Sequence, residues 1–222
     1  MPEVLLTKTY ERAYYINADT KTFRKAEIPE NVNEYGQRTT PWLSAERLSN
    51  EKAALDFIAK NTTIRVPKAY SLNSTDGCLS LTMEYIPGKC LDELPWNIRP
   101  IAESKADQYI RESLLPQLAN LTSKRNGSLT GHIIPPRRVN EMFPSRSWTC
   151  KTASKERYVY CHNDLGQHNI LCDPETGDVL AVIDWEYSGY YEPIFEGKLW
   201  LQPYDQLVHQ EDKVLDLEQR LR

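Results

Sequence analysis

Apolar positions recur along this chain with two periods. Leu48, Glu51, Leu55 and Ile58 are spaced three, four and three apart, which places them on one face of a helix with Glu51 inside the apolar stripe. A second helical pattern, Ala102 to Leu121, carries Ala106, Ile110, Leu114, Leu118 and Leu121, and Pro116 must kink it or begin a new segment. A third, Glu211 to Arg222, is charged, with Val214, Leu215, Leu217 and Leu221 apolar. Elsewhere the period is that of strands. Leu79 to Ile86 alternates and stops at Pro87-Gly88. Ile170-Leu171-Cys172 and Val179 to Ile183 are short runs of strand formers enclosing the turn-rich Asp173-Pro174-Glu175-Thr176-Gly177-Asp178. The pattern predicts strands, a helix and more strands over about 4–86, a proline-broken link over 87–100, and a mixed remainder with a loop from Asn126-Gly127 to Pro144.

The hairpin matters because of what flanks it. Cys161-His162-Asn163-Asp164-Leu165-Gly166-Gln167-His168-Asn169 precedes it, and Asp184-Trp185-Glu186 follows. Pairing Cys172 with Val179 sets Asn169 opposite Val182 and brings Asn169 and Asp184 to one open end, with Asp164 on the loop just before. Phosphoryl transfer from a nucleotide uses such a set: one carboxylate orients the attacking group, while an amide oxygen and a second carboxylate hold Mg²⁺ on the phosphates. His162 reads as a hydrogen-bonding support beneath the loop, and His168 as a loop residue within reach of substrate. A carboxylate inside an apolar helix stripe needs a partner. For Glu51, Lys25 in Thr22-Phe23-Arg24-Lys25-Ala26 is the natural one, with Arg24 and Lys8 as competitors.

Here the chain resembles the aminoglycoside phosphotransferase-like branch of the protein-kinase-like fold, particularly its many fungal members carrying a similar Cys-His-Asn-Asp-Leu, Asn and Ile-Asp-Trp-Glu series. The likeness runs from about Thr9 to Tyr204 and is most specific over 158–192. It implies an α+β, two-lobed fold, with an N-lobe over 1–86 and a shortened C-lobe over 87–222 forming one compact domain. It also implies ATP and Mg²⁺ as cofactors, Asp164 as catalytic base, Asn169 and Asp184 as metal ligands, and His162 as the structural member of the loop. Lys25 and Glu51 would then steady the phosphates. Backbone groups of Glu84 to Ile86 would meet adenine, with Met83 bordering the pocket. Three features depart from the pattern. Tyr10 to Thr22 holds no glycine for a phosphate loop, only 38 residues follow Asp184, and no activation segment follows Ile183-Asp184-Trp185. Arg65 also stands where the family usually has a proline.

Composition adds bounds. The 222 residues, 40% of them hydrophobic, suffice for a substantial core. A net charge of −4 argues against broad affinity for nucleic acid or anionic membranes. Met1-Pro2-Glu3 does not open a leader, and no apolar run nears membrane length, so a soluble cytoplasmic protein is expected. Five cysteines without a Cys-x-x-Cys pair read as reduced thiols; a zinc site from Cys150, Cys161, His162 and Cys172 would match no common spacing.

Several substrate readings remain open. Trp185, Tyr187, Tyr190 and Tyr191 are core residues or the wall of an aromatic or cationic substrate site, and Glu186 is a carboxylate for a substrate amine or guanidinium. Between 137 and 157, six cations (Arg137, Arg138, Arg146, Lys151, Lys155, Arg157) face only Glu141 and Glu156. That run is a solvated face, or a grip for an anionic substrate or an RNA acceptor end. The first reading of function is an ATP- and Mg²⁺-dependent phosphotransferase on a small-molecule hydroxyl or amine. The alternatives are a kinase-like fold turned to aminoacyl-tRNA-dependent, arginine-containing cyclodipeptide synthesis, or a pseudokinase binding module. The C-terminal helix packs on its own lobe or makes a homodimer.

Overall fold

The computed structural model describes residues 2–28, 41–144, 146–202 and 211–222; the Tyr204 end of the family-like stretch lies outside them. Strands β1 (Val4–Lys8), β2 (Arg12–Asn17) and β3 (Thr22–Glu27) join β4 (Ala69–Thr75) and β5 (Cys78–Glu84) in an antiparallel sheet of order β1-β2-β3-β5-β4. Its turns follow from local chemistry. The Asn17 side-chain oxygen accepts the Asp19 and Thr20 N–H groups at 3.1 and 3.2 Å, closing the β2–β3 turn. Asp76 and Gly77 both take positive φ (51° and 79°), the two-residue geometry whose twist matches paired strands. The predicted strand over 79–86 ends at Glu84, two residues early, although Tyr85 N–H still donates to the Lys21 carbonyl at 2.9 Å.

Helix α1 (Ser44–Asn61) lies on this sheet with Leu48, Glu51, Leu55 and Ile58 all buried, as their spacing requires. Thr62 stops it by returning both its N–H and its hydroxyl to the Ile58 carbonyl, at 3.0 and 2.8 Å. The longer helical pattern resolves into α2 (Arg99–Tyr109), a π-turn at Ile110–Leu114 and α3 (Leu115–Ala119). Pro116 explains the interruption. It has no N–H for the preceding turn and its ring crowds the carbonyl four residues back, so the backbone widens before it. The apolar face survives, with Ala106, Ile110, Leu114 and Leu118 buried.

Two small sheets complete the C-terminal part: β6 (Lys89–Cys90) with β9 (Ile170–Cys172) and β10 (Val179–Val182), and β7 (Thr122–Ser123) with β8 (Tyr158–Cys161) and β11 (Gly189–Tyr191). The main core runs continuously from Leu48, Leu55 and Leu81 through Leu91 and Ile110 to Ile170, Val182 and Trp185. A second cluster gathers Ile133, Val139, Tyr191 and Phe195, with Val139 supplied by the short helix α4 (Arg137–Met142), beneath Val214, Leu217 and Leu221 of α5 (Glu211–Leu221). The apolar stripe of α5 is therefore spent on its own chain, the first of the two placements its sequence leaves open. All five cysteines are unpaired, and no helix among the described residues is long and apolar enough to cross a membrane.

Candidate active site

β8 delivers the chain into the loop 162–169, which ends in the β9–β10 hairpin. Cys172 pairs with Val179 as predicted, but the register slips between Val179 and Ala181, so Val182 faces Ile170 rather than Asn169. The extra residue is a bulge. Ile183 N–H then donates to the Asn169 carbonyl at 3.0 Å, leaving Asn169 and Asp184 side by side at the mouth of the hairpin.

The loop is braced from within. His162 is fully buried, with its ring centroid 4.5 Å from that of Trp185. Its Nδ1 accepts the Asp164 N–H at 3.3 Å, so Nε2 carries the proton donated to the Ile183 carbonyl at 2.9 Å. Burial also holds its pKa below the usual imidazole value despite the nearby Asp164 charge. With both nitrogens engaged, His162 fastens the two strands of the site together and has no free position for proton transfer. The Asn169 amide donates to the Asp164 carbonyl at 2.7 Å and to its carboxylate at 3.2 Å, which turns its oxygen outward. His168 Nε2 lies 3.4 Å from the same carboxylate. Burial opposes charging of His168, but the hydrogen bond to Asp164 and the charges of Asp164 and Asp184 outweigh it and raise its pKa.

Lys25 is the partner of Glu51. Its Nζ lies 2.8 and 3.1 Å from the Glu51 oxygens and 2.7 Å from Asp184 Oδ1. Arg24 points to the opposite face of the sheet, pairing with Glu3 and lying over the Tyr15 ring, while Lys8 stands on the exposed edge strand. One ammonium shared by the buried Glu51 and the part-exposed Asp184 cannot serve both equally. Burial disfavours the Lys25 charge, yet Asp184 and Glu51 hold its pKa well above the ordinary value. Burial likewise opposes ionisation of Asp184, but Lys25 prevails and the pKa falls to about 2. At Glu51 desolvation wins, raising the pKa to about 7. Oxygens of Glu51, Asp184 and Glu186 lie within 4.8 Å of one another. Asp184 itself adopts a left-handed φ of 63°, a strained conformation for a non-glycine residue. Surplus carboxylate oxygen around one ammonium, beside the outward oxygen of Asn169, suits a hard divalent cation. No Cys/His cluster with metal-binding geometry forms among the described residues.

The segment read as a hinge has fewer free backbone groups than the sequence suggests. Glu84 N–H already donates to the Lys68 carbonyl at 2.8 Å. Its carboxylate accepts from Arg65 at 2.6 Å and from Lys68 N–H at 3.1 Å. Ile86 is then the first donor beyond the paired strand, with no partner among the described residues. Met83 is buried in the core beside Phe23, facing it across β3 and β5.

Beyond Asp184 the side chains face inward. Trp185 is wholly buried and donates its indole N–H to the Val182 carbonyl at 3.0 Å. Tyr187 is buried with its hydroxyl on Arg47, and Glu186 is held by Arg47 at 3.2 Å and Arg12 at 3.5 Å. The basic run is largely neutralised: Arg137 pairs with Glu141, Arg146 with Glu218 and Arg157 with Glu192, while Lys151 bonds the Arg220 carbonyl. It clamps the C-terminal helix, so the basic motive for an aminoacyl-tRNA partner disappears. The sequence reading missed Arg12, Arg47 and Asn50, although 47 and 50 extend the inward stripe of Glu51. Arg138, read only as one cation of the basic run, instead donates to the Asn163 and Phe195 carbonyls at 2.9 and 2.6 Å. Asp164 and Arg138 line a cavity of about 880 Å³ with Ile194, Leu199, Val214 and Leu217.

An antiparallel five-stranded sheet with its inward helix, a Lys–Glu pair and a metal-suited hairpin define the protein-kinase-like phosphotransferase fold. The chain belongs to the choline/ethanolamine kinase family, whose model matches residues 35–201, about three quarters of its length. It is 25% identical over 164 residues to an aminoglycoside 3'-phosphotransferase of Streptomyces ribosidificus, covering 65% of this chain and 61% of that protein. It is 40% identical over 72 residues to the probable ethanolamine kinase B of Dictyostelium discoideum, covering 32% and 16%. The chain thus spans less than two thirds of either relative. Among solved structures, APH(3'')-Id from Streptomyces rimosus aligns at a TM-score of 0.59 and 14% identity over 99% of this chain and 85% of its own. An aminoglycoside phosphotransferase APH(4)-Ia mutant in complex with AMP-PNP and hygromycin B aligns at 0.56 and 12% identity over 87% and 69%.

Proposed function

We propose that this chain is an ATP- and Mg²⁺-dependent phosphotransferase acting on the hydroxyl or amine of a small molecule of the amino-alcohol or aminosugar kind for which its relatives are named. The observation that carries the reading is the meeting of Asp164, Asn169, Asp184 and the Lys25–Glu51 pair at one mouth. Bound ATP supplies the phosphoryl group, and bound Mg²⁺ supplies the positive charge that offsets charge developing on it.

The protein's part is placement and proton handling. Asn169 and Asp184 offer the oxygens for the metal. Lys25, kept charged by Asp184 and Glu51, would face the phosphates, and its ammonium is shared between those two carboxylates. Ile86 N–H would be the donor for adenine, with Met83 bordering the pocket. Asp164 stands between the metal side and the 880 Å³ cavity. Its carboxylate orients an acceptor held there and takes the acceptor proton. Leu199, Val214 and Leu217 give that cavity an apolar wall among charged residues such as Glu141, Lys198 and Asp216, and Asp164 offers the negative charge that an amine-bearing acceptor requires.

Phosphorus NMR of the protein with ATP, Mg²⁺ and a panel of amino alcohols and aminosugars tests this. A phosphate-ester or phosphoramidate signal that vanishes in Asp164→Ala supports the assignment. ATP left intact across the panel, or turnover in Asp164→Ala equal to the unmodified protein, overturns it.

A further inference from the structure

Behind the Lys25 set lies a second group of buried polar side chains that the proposed chemistry leaves unused. Arg47 sits one helical turn before Glu51 and is fully buried. It donates to Glu186 Oε1 at 3.2 Å, to the Tyr187 hydroxyl, and to Glu11 Oε2 at 2.9 Å. Arg12, at the start of β2, donates to the Ser44 carbonyl at 2.8 Å and to the Ser44 hydroxyl, and lies 3.5 Å from Glu186 Oε2. Asn50, also fully buried, donates to the Glu186 and Ser188 carbonyls at 3.1 and 2.8 Å and accepts the Leu129 N–H at 3.2 Å.

Three elements meet here: the β1–β2 turn through Glu11 and Arg12, the first half of α1 through Arg47 and Asn50, and the 185–188 turn. Apolar residues of similar volume would stabilise this contact as well or better, because two guanidinium groups have been taken out of water. What the polar set provides is geometry. A guanidinium fork fixes the directions of its partners, and an amide bonded on both sides fixes a backbone. Those partners begin two residues after Asp184, whose left-handed backbone relaxes unless its neighbours are held. The clamp also fixes a β1–β2 turn that has no glycine and is closed locally by Thr9, whose hydroxyl accepts the Glu11 and Arg12 N–H groups at 3.2 and 3.0 Å.

We propose that Arg47, Asn50 and Arg12 are positioning residues: they hold the turn after Asp184, and the β1–β2 turn, in register with Glu51. The consequence for nucleotide rests on the phosphotransferase reading. The ordering of the two turns does not, and it can be measured without nucleotide.

Arg47→Lys keeps charge and stem but loses the fork, so it cannot serve Glu186, Tyr187 and Glu11 together. Glu11→Gln weakens only the β1–β2 arm from a half-buried position and keeps the fold if Arg47→Lys does not. Hydrogen–deuterium exchange of the nucleotide-free proteins is the readout, with the unfolding midpoint alongside. In Arg47→Lys, amides of 9–12 and 185–188 should exchange about tenfold faster while β3 and β5 and the midpoint stay near those of the unmodified protein. In Glu11→Gln only 9–12 should change. Where the unmodified protein binds ATP with Mg²⁺, Arg47→Lys should weaken that binding about tenfold and leave the acceptor KM alone. Unchanged exchange at 185–188 in Arg47→Lys, a uniform rise tracking a lower midpoint, or unchanged 9–12 in Glu11→Gln overturns the proposal. An unmodified protein that fails to bind ATP overturns the phosphotransferase reading instead, and the exchange data still decide the positioning role.

Discussion

Lys25 and Asp184, 159 residues apart in sequence, are joined by a 2.7 Å ion pair. The contact fastens the third strand of the large sheet to the turn after the β9–β10 hairpin. Glu51 shares the ammonium from the helix behind. Removing the ammonium with Lys25→Met leaves the buried Glu51 carboxylate without its partner, beside the part-exposed Asp184, at a cost of roughly 3–5 kcal/mol. Glu51 escapes part of that cost by taking a proton, since its folded pKa of about 7 already lies above the ordinary carboxyl value. Thermal melts should therefore show a larger loss at pH 8 than at pH 6. An equal loss at both would mean that Glu51 does not titrate in this range.

Asp164→Asn keeps the shape of the side chain and its place beside Asn169 while removing the base proposed for transfer. General-base removal typically costs about 10²–10⁴ in rate. Steady-state kinetics should show that fall in kcat, with the unfolding midpoint and ATP affinity within a factor of a few of the unmodified protein. A fall in ATP affinity of comparable size would place Asp164 on the metal instead.

Glu196 gives a pH signature away from the metal side. Its Oε2 accepts the His162 N–H at 2.5 Å, and burial raises its pKa to about 7 against the opposing His162 hydrogen bond and Arg138 charge. A carboxyl whose folded pKa lies above its unfolded value favours folding fully below the unfolded pKa and loses that contribution as pH rises through the folded one. Between about pH 4.5 and 7 it withdraws on the order of 3 kcal/mol. Glu196→Gln should flatten the stability–pH curve over that window and equal or exceed the unmodified protein at pH 8. Parallel curves would contradict the assignment.

Leu217 is 3% exposed, on the α5 face that covers Tyr191 and Phe195. Leu217→Ala should cost roughly 2–5 kcal/mol in denaturant unfolding. Leu215→Ala, on the open side at 42% exposure, should cost little. Equal effects would mean that α5 is not docked as described.

The local periodicities were legible because each records one face meeting one core. Glu51 stood out as a charge in an apolar stripe, and Asn169 and Asp184 followed from hairpin pairing even though a bulge moved the register by one. Long-range polar pairing was not legible. Arg47 and Asn50 sit on the same helix face as Glu51, but their partners Glu186 and Ser188 lie more than 130 residues away and nothing local announces them. The same blindness left Trp185 and Tyr187 open between core and substrate wall, and Glu186 open as a carboxylate for a substrate amine, because sequence proximity to Asp184 says nothing about which way a turn faces. The basic run of 137–157 left two readings open for a related reason: its counter-charges, Glu192 and Glu218, come later in the chain.

Calorimetric titration with ATP, with and without Mg²⁺, on the unmodified protein and Asp184→Asn tests the central claim most directly. The account predicts saturable binding that requires Mg²⁺ and is lost in Asp184→Asn, whose fold is retained. No heat at millimolar ATP, or equal binding by the variant, would contradict it.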